Sequence, residues 1–232
     1  MATKEVNVVF NFYEKITPPP NMESFLKGWS HLGHFVKTLD HFVSAQLHTN
    51  LNPEGRFPYV NYSFFEGTQE RITKDFCEPS PELIKALVEG HGPPGLQVNY
   101  PGGYTEVATM EGSPIAPALP KSTDSVFLLS SFKGPKTDEE SAKFESEWMD
   151  VTGVTKLKAD ESLGLQNAAL YRRFTQAPYD VLMYVVRCEF VGIGSSRGLE
   201  IANDLKDGIV GDGVERTNSS LYKIEPSNIL SK

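Results

Sequence analysis

The sequence predicts an α+β protein built from two successive units, each ordered strand, helix, strand, strand, helix, strand, and packed sheet to sheet. Three observations carry this reading. The segment NPEGRFPYVNYSFFEG (52–67) reads as a hairpin tip and its return strand, and YRRFTQAPYDVLMYVVRCEFVG (171–192) repeats that pattern at the matching place in the second half. Each half has one tryptophan, Trp29 or Trp148, on the apolar side of its first helical segment. Between the halves, Glu111 to Asp124 places three prolines among small and polar residues, as an extended linker does. The implied units are residues 1–112 and 125–232, joined by a Pro-rich 113–124.

The elements follow in order. In EVNVVFNFY (5–13), Val6, Val8, Phe10 and Phe12 share one face, and Asn7, Val9, Asn11 and Tyr13 share the other, so this is a strand. Pro18-Pro19-Pro20 stops it and can open a helix. That helix runs to about Leu39, because Met22, Phe25, Leu26, Trp29, Leu32, Val36 and Leu39 recur at three and four. Strands follow at 42–50 and 59–65. Helical sequence then runs from Thr68 to about Cys77, and another helix starts where Ser80 can cap and Pro81 can occupy the first turn. Gly95 to Met110 gives a strand expected to be interrupted at Pro101-Gly102-Gly103. In the second half, Ser125 to Phe132 is a strand. Thr137 and Glu140 form a capping box for a helix carrying Phe144, Trp148 and Val151 on one face. Strands at Gly164–Phe174 and Tyr179–Phe190, a helix at Arg197–Lys206 and a short strand at Ser220–Glu225 complete the set.

This element order is the ferredoxin-like split βαβ arrangement, a sheet with helices on one face. Its other face is not consistently polar here: in 179–190 both Val181, Met183, Val185 and Leu182, Tyr184, Val186 are apolar. Strands apolar on both sides need cover on both sides, and the second sheet of a tandem pair supplies it.

Composition excludes several classes. A net charge of −8 and a pI of about 5.2 argue against nucleic acid, whose phosphates need clustered Lys and Arg. No apolar run approaches the roughly 18 residues of a membrane helix. The N-terminus shows no secretory pattern, so a cytoplasmic location is expected. The two cysteines, Cys77 and Cys188, are far apart and read as reduced, partly buried thiols.

The helix FLKGWSHLGHFVKTLDHF, the strand VSAQLHTNLNPEGRF and the return strand PYVNYSFFEG resemble the dimeric α+β barrel superfamily, in particular antibiotic-biosynthesis-monooxygenase-like and stress-responsive barrel domains. Phe64-Phe65-Glu66 stands where such members often carry Trp-Glu. The resemblance implies a pseudo-dimeric barrel closed within one chain as a monomer, or between chains as a homodimer. It also implies a pocket between sheet and helices, lined in some members by an Asn, a Trp and a His. Asn11, Trp29 and His48 are the residue types available here, and the resemblance implies monooxygenase-like catalysis without a cofactor, or haem chemistry.

The residues themselves leave alternatives open. His48 shares a strand face with Ser44 and Gln46, where it can serve as general base, as haem ligand, or sit at an exposed strand end. Asn7, Asn11 and Tyr13 share a face of the first strand and, with Trp29 and Gln46, are candidate ligand contacts. Arg173, with Arg172, Arg187, Tyr171 and Glu189, can bind an anion or pair across strands. His31 and His34 lie one turn apart on the polar helix face with no completing ligand, which argues against a metal. VGIGSSRG (191–198) imitates a dinucleotide loop, but too little chain follows it for a parallel sheet. The expected function is binding of a small apolar or aromatic molecule, with no cofactor. The alternatives are a cofactor-independent monooxygenase acting on an aromatic or polyketide-like substrate and, behind it, haem binding or degradation.

Overall fold

The structure, a computed structural model, describes residues 5–14, 22–91, 98–176, 182–205 and 207–232. The first half comprises β1 (Val6–Tyr13), α1 (Met22–Val36), β2 (Phe42–Asn50), β3 (Tyr59–Glu66), α2 (Gln69–Cys77), α3 (Pro81–His91) and β4 (Asn99–Thr109). The second comprises β5 (Val126–Lys133), α4 (Asp138–Thr152), α5 (Val154–Ala159), a 3-10 turn (Glu161–Leu163), β6 (Leu165–Arg173), β7 (Tyr184–Phe190), α6 (Ser195–Asp204), β8 (Gly208–Gly211) and β9 (Val214–Ser231). The triple proline at 18–20 and the turn at Ala177-Pro178 lie outside the described residues.

The strands run antiparallel to their neighbours in the order β2-β3-β1-β4-β6-β7-β5-β9-β8, and β2 also pairs with β9. The ends of the series therefore meet, and eight strands close into a barrel with β8 as an outer edge. The seams between halves are β4–β6, from Tyr104↔Arg173 to Thr109↔Ala169, and β2–β9, from Asn50↔Tyr222 to Ser44↔Ser231. The fold class is thus α+β, and the two sheets are continuous at both edges as well as facing one another.

Alternation along each strand makes three cores. Inside the barrel, Val8, Phe10 and Phe12 meet Tyr62, Phe64, Tyr104, Phe127, Leu129, Tyr171, Val185 and Tyr222. Outside, the first half packs Val9, Tyr13, Phe42, Leu47 and Phe65 against Phe25 and Trp29 of α1. The second half packs Val126, Leu128, Leu170, Val186 and Cys188 against Phe144, Trp148, Val154, Leu157 and Ile201. Cys188 is free, and burial pushes its thiol up to about 12, so it is held as the unreactive acid. The side chain of Cys77 lies outside the described residues.

Caps fall where their residues allow. Thr68 accepts from Arg71 N, Ser80 Oγ accepts from Leu83 N at 3.1 Å, and Thr137 with Glu140 forms the reciprocal box. Each such cap contributes about 1 kcal/mol.

Several strands differ from expectation: β7 begins at Tyr184 and not at Tyr179, β8 was not expected, and β4 and β9 depart furthest. β4 runs unbroken through Pro101-Gly102-Gly103, pairing Asn11↔Pro101 with β1. Pro101 is tolerated because β4 meets β6 only from Tyr104 onward, so its missing N–H breaks no second ladder. Gly103 is needed for close approach: a Cβ there would stand 2.5 Å from Cζ of Phe174. The final strand is 18 residues long, not a short piece at 220–225. Its polar flanks hid it, since Arg216, Asn218 and Ser220 are buried.

The linker is ordered across one mouth of the barrel. Glu106 accepts from the N–H of Ile115 (3.0 Å) and Ala116 (3.2 Å), Gln46 Nε2 donates to Ala118 O, and Glu189 accepts from Lys121 N. Ile115 and Ala116 pack on the barrel core.

Candidate functional site

The odd residues of β1 point outward beneath α1. Register places Asn11 directly opposite Asn61 and Val9 opposite Ser63 on β3, so a short polar row crosses an otherwise apolar surface. α1 spans this row with Trp29, Leu32 and Val36 at helical spacing, and α3 adds Leu83 and Leu87. The two helices approach closely because Gly28 faces Gly90; a Cβ on Gly28 would lie 1.7 Å from the Gly90 carbonyl oxygen. Between helices and sheet remains a cavity of about 220 Å³, also lined by Phe42, Phe65 and Leu230. That is below the range of about 300–1,000 Å³ usual for small-molecule sites, so it suits a compact guest.

The floor is partly wired. Trp29 Nε1 donates to Asn61 Oδ1 at 3.0 Å, Asn61 Nδ2 donates to Ser63 Oγ at 3.1 Å, and Ser63 Oγ donates to Val9 O at 3.3 Å. Beside this chain, Asn11 Oδ1 is shielded from solvent and accepts no hydrogen bond. Buried amide oxygens are normally paired, so this atom stands ready for a donor. Burial pushes the Tyr13 hydroxyl well above its ordinary range, an effect opposed in part by Asn11, and keeps it protonated.

At the rim, His41 Nδ1 lies 3.0 Å from Asp40 Oδ1 and its Nε2 lies 3.0 Å from Asp75 Oδ2. Hydrogen bonds from His41 and then Arg71 hold the Asp40 carboxyl down at about 2. The ring thus has Nδ1 hydrogen-bonded to Asp40, whereas Asp75 Oδ2 accepts no hydrogen bond, so Nε2 approaches Asp75 without the alignment of a hydrogen bond. Its geometry is that of a clasp between the start of β2 and α2, not of a general base.

Of the residues singled out in the sequence, Asn11, Tyr13 and Trp29 come together on this cavity. Asn7 lies on the same strand face but donates to Gly67 O at 2.6 Å, outside the lining. His48 and Gln46 project from the opposite face of β2 into the barrel, where both are fully buried. Arg173 sits at the barrel end away from the linker, with Nε on Thr175 O at 3.1 Å and Nη2 on Pro101 O. Arg172 points outward to Glu145 at 2.8 Å, so the three arginines do not converge. Nor does Glu189 pair with an arginine: it accepts from Lys121 N, Ser125 Oγ and Asn167 Nδ2. His31 bonds Glu89 and His34 bonds the Ser30 carbonyl on the exposed side of α1. Among the described residues no group of three His, Cys, Asp or Glu is placed to hold a metal.

Asn61, Ser63, His41 and Asp75 were missed in the sequence. For the first two the signal existed: in YVNYSFFE they are the polar residues of one period-2 face. His41 and Asp75 meet only through tertiary structure.

Among the described residues no histidine is placed to hold a haem. His41 Nδ1 is bonded to Asp40 and its Nε2 lies 3.0 Å from Asp75, and the His48 ring is enclosed by Tyr62, Phe127 and Tyr222 at centroid distances of 5.8, 5.1 and 6.3 Å. The second half contains no histidine, and its helix–sheet layer is filled by Phe144, Trp148, Val154 and Leu157.

Fold and site together define a closed eight-stranded α+β barrel with helices outside and a small apolar cavity under the first of them. The chain belongs to the family described as a domain of unknown function, DUF7153, whose model matches residues 42–211. No curated protein matches it. Among solved structures it is similar to an anthrone oxidase-like protein (11% identity, 99% of this chain and 94% of that one, TM-score 0.60). It is also similar to the chlorite dismutase-like protein TA0507 (11% identity, 97% of each chain, TM-score 0.57). A third is a mutant chlorite dismutase from Candidatus Nitrospira defluvii in complex with cyanide (8% identity, 98% and 93%, TM-score 0.52). At these identities the likeness establishes the fold. Among the described residues no helix is long and apolar enough to cross a membrane.

Proposed function

We propose that this protein binds a small, planar, largely apolar molecule in the cavity beneath α1. The observation that carries this reading is the unpaired Asn11 Oδ1, buried beside the indole of Trp29. An amide oxygen only accepts, so the guest supplies a donor, such as a phenolic or enolic O–H or an aromatic N–H. The indole lines the cavity as a large apolar surface for a flat ring, and its own N–H stays on Asn61.

A second reading is cofactor-independent oxidation of an aromatic or polyketide-like substrate at the same floor. The likeness to an anthrone oxidase-like protein favours trying that substrate class. Against it stands the placement of His41, whose Nδ1 is hydrogen-bonded to Asp40 and whose Nε2 lies 3.0 Å from Asp75, so the cavity's imidazole is turned to carboxylates at the rim and not to the floor.

Anthrone itself separates the readings. Quenching of Trp29 emission without oxygen uptake supports binding alone. Uptake of one O2 per CH2 converted to a carbonyl, with release of one water, supports oxidation. The absence of both, with a structured protein, removes an anthrone-like guest from consideration. We further infer that the chain's two βαββαβ halves, 1–112 and 125–232, close on each other as a monomer of 25.7 kDa. Light scattering during gel filtration tests this, and twice that mass refutes it.

A further inference from the structure

The barrel interior holds a charge that the cavity does not use. Arg187 projects inward from β7 and is fully buried. Its guanidinium lies 4.3 Å from the Phe127 ring centroid and 4.9 Å from that of Tyr62. Aromatic faces attract such a cation but take none of its N–H donors. Nε, Nη1 and Nη2 all lack a hydrogen-bond partner, and among the described residues no carboxylate is within ion-pair distance. A guanidinium does not escape burial by losing its proton. His48 comes from β2 against the same two rings, also fully buried, with neither ring nitrogen in a well-formed hydrogen bond.

The carboxylates of the interior are occupied elsewhere. Glu106 holds the N–H groups of Ile115 and Ala116 and is reached by Tyr171 Oη at 3.3 Å. Glu189 holds Lys121 N, Ser125 Oγ and Asn167 Nδ2. Both carboxylates are thereby drawn toward the linker that roofs the barrel. What remains at the centre is the unmatched set of five N–H donors on Arg187, with the neutral His48 ring beside it.

We propose that the barrel interior binds a small monovalent anion, of halide or nitrate size, between the Arg187 guanidinium and the His48 imidazole. Size follows from the packing: Tyr62 and Phe127 lie against both side chains and Tyr222 against His48, so a guest of many atoms is excluded. Valence follows from Glu106 and Glu189, whose charges in the same enclosure oppose a second negative charge. The His48 nitrogens are matched to an anion because burial and the neighbouring guanidinium hold the ring well below its usual titration range. The neutral ring donates one N–H, and an anion beside it offsets the Arg187 charge. This site is distinct from the helix–sheet cavity, since β2 turns its two faces to the two places.

The full-length protein is crystallised with sodium bromide and anomalous differences are collected at the bromine edge. An anomalous peak within hydrogen-bond reach of an Arg187 nitrogen is expected; water alone at saturating bromide overturns the proposal. In solution, chloride, bromide or nitrate added to protein in gluconate at matched ionic strength raises the melting temperature saturably, by about 5–10 °C at about 100 times Kd. The same rise in Arg187→Met, or an equal rise with gluconate, overturns it. His48→Leu keeps the guanidinium and weakens the anion about tenfold. Should Arg187→Met not fold, the bromide position in the unaltered protein decides.

Discussion

Asn11→Leu tests the cavity assignment by pulling stability and binding apart. Leucine nearly matches asparagine in shape and carries no polar atom. Removing the unpaired Asn11 Oδ1 relieves the cost of burying an unsatisfied acceptor, about 1–3 kcal/mol. Against this, Tyr13 loses its hydrogen bond with Asn11, about 0.5–1.5 kcal/mol. The difference is a net stabilisation of about 1 kcal/mol, or a melting temperature higher by about 2–4 °C for a chain of this length. Binding moves the other way, because the guest loses its acceptor: a deficit of about 1.4 kcal/mol lowers affinity about tenfold. Stability is read by urea unfolding. Affinity is read by quenching of Trp29 with anthrone in a Trp148→Phe background, where Trp29 is the sole tryptophan. An Asn11→Leu protein that is less stable yet binds anthrone unchanged would show that Asn11 Oδ1 is not the anchor.

Trp29→Phe removes the donor to Asn61 Oδ1 and should cost about 1–3 kcal/mol in urea unfolding; an unchanged midpoint refutes the wired floor. Gly28→Ala drives a methyl into the Gly90 carbonyl and should destabilise by about 1–3 kcal/mol or more as α1 and α3 part, with anthrone affinity falling too. Stability should fall on acidification below about pH 6.5 in halide-free buffer. His48 is held neutral in the fold, so its folded value lies below its unfolded one. The unfolded chain then binds the extra proton; stability is full above about 6.5 and declines below it, at up to about 1.4 kcal/mol per pH unit. His48→Leu should flatten that slope, and an unaltered slope refutes it. Asp40, held at about 2, contributes stability present above about 3.9 that is lost as pH falls toward 2. Because Asp40 is exposed and screened, the effect is small, and Asp40→Asn should show it as a slightly shallower acid limb in low salt.

The parts of this molecule legible in the sequence are those set by local chemistry. Period 2 in EVNVVFNFY placed Asn11 and Tyr13 on one face, and period 3.6 placed Trp29 over it. Thr137 and Glu140 announced their helix because a capping box needs only four residues. What stayed hidden depended on which side of a strand becomes inside. β2 reads polar on the face of Ser44, Gln46 and His48 and apolar on that of Ala45 and Leu47, so local chemistry points His48 to solvent, and nothing local told that it enters a barrel while Ala45 lines the cavity. A similar reversal hid β9, whose polar Arg216, Asn218 and Ser220 look like surface but are buried, Arg216 through its bond to the Thr152 carbonyl at the end of α4. His41 and Asp75 lie on separate elements, and only the docking of α2 beside β2 makes them a pair.

The seam between β2 and β9 has a consequence for synthesis. It joins residues 44–50 to residues 222–231, so the first sheet keeps an unpaired edge on β2 until those later residues have been made. Its other edge, on β4, waits for β6. During translation the nascent first half is therefore a sheet with two open sides and an uncovered aromatic face of Phe10, Phe12, Tyr62 and Phe64. Such an intermediate invites edge-to-edge association, and long-range pairing of this kind folds slowly. Premature termination within β9 would leave that hazard permanent: a ribosome that stops a dozen residues early releases an adhesive open sheet in place of a closed barrel.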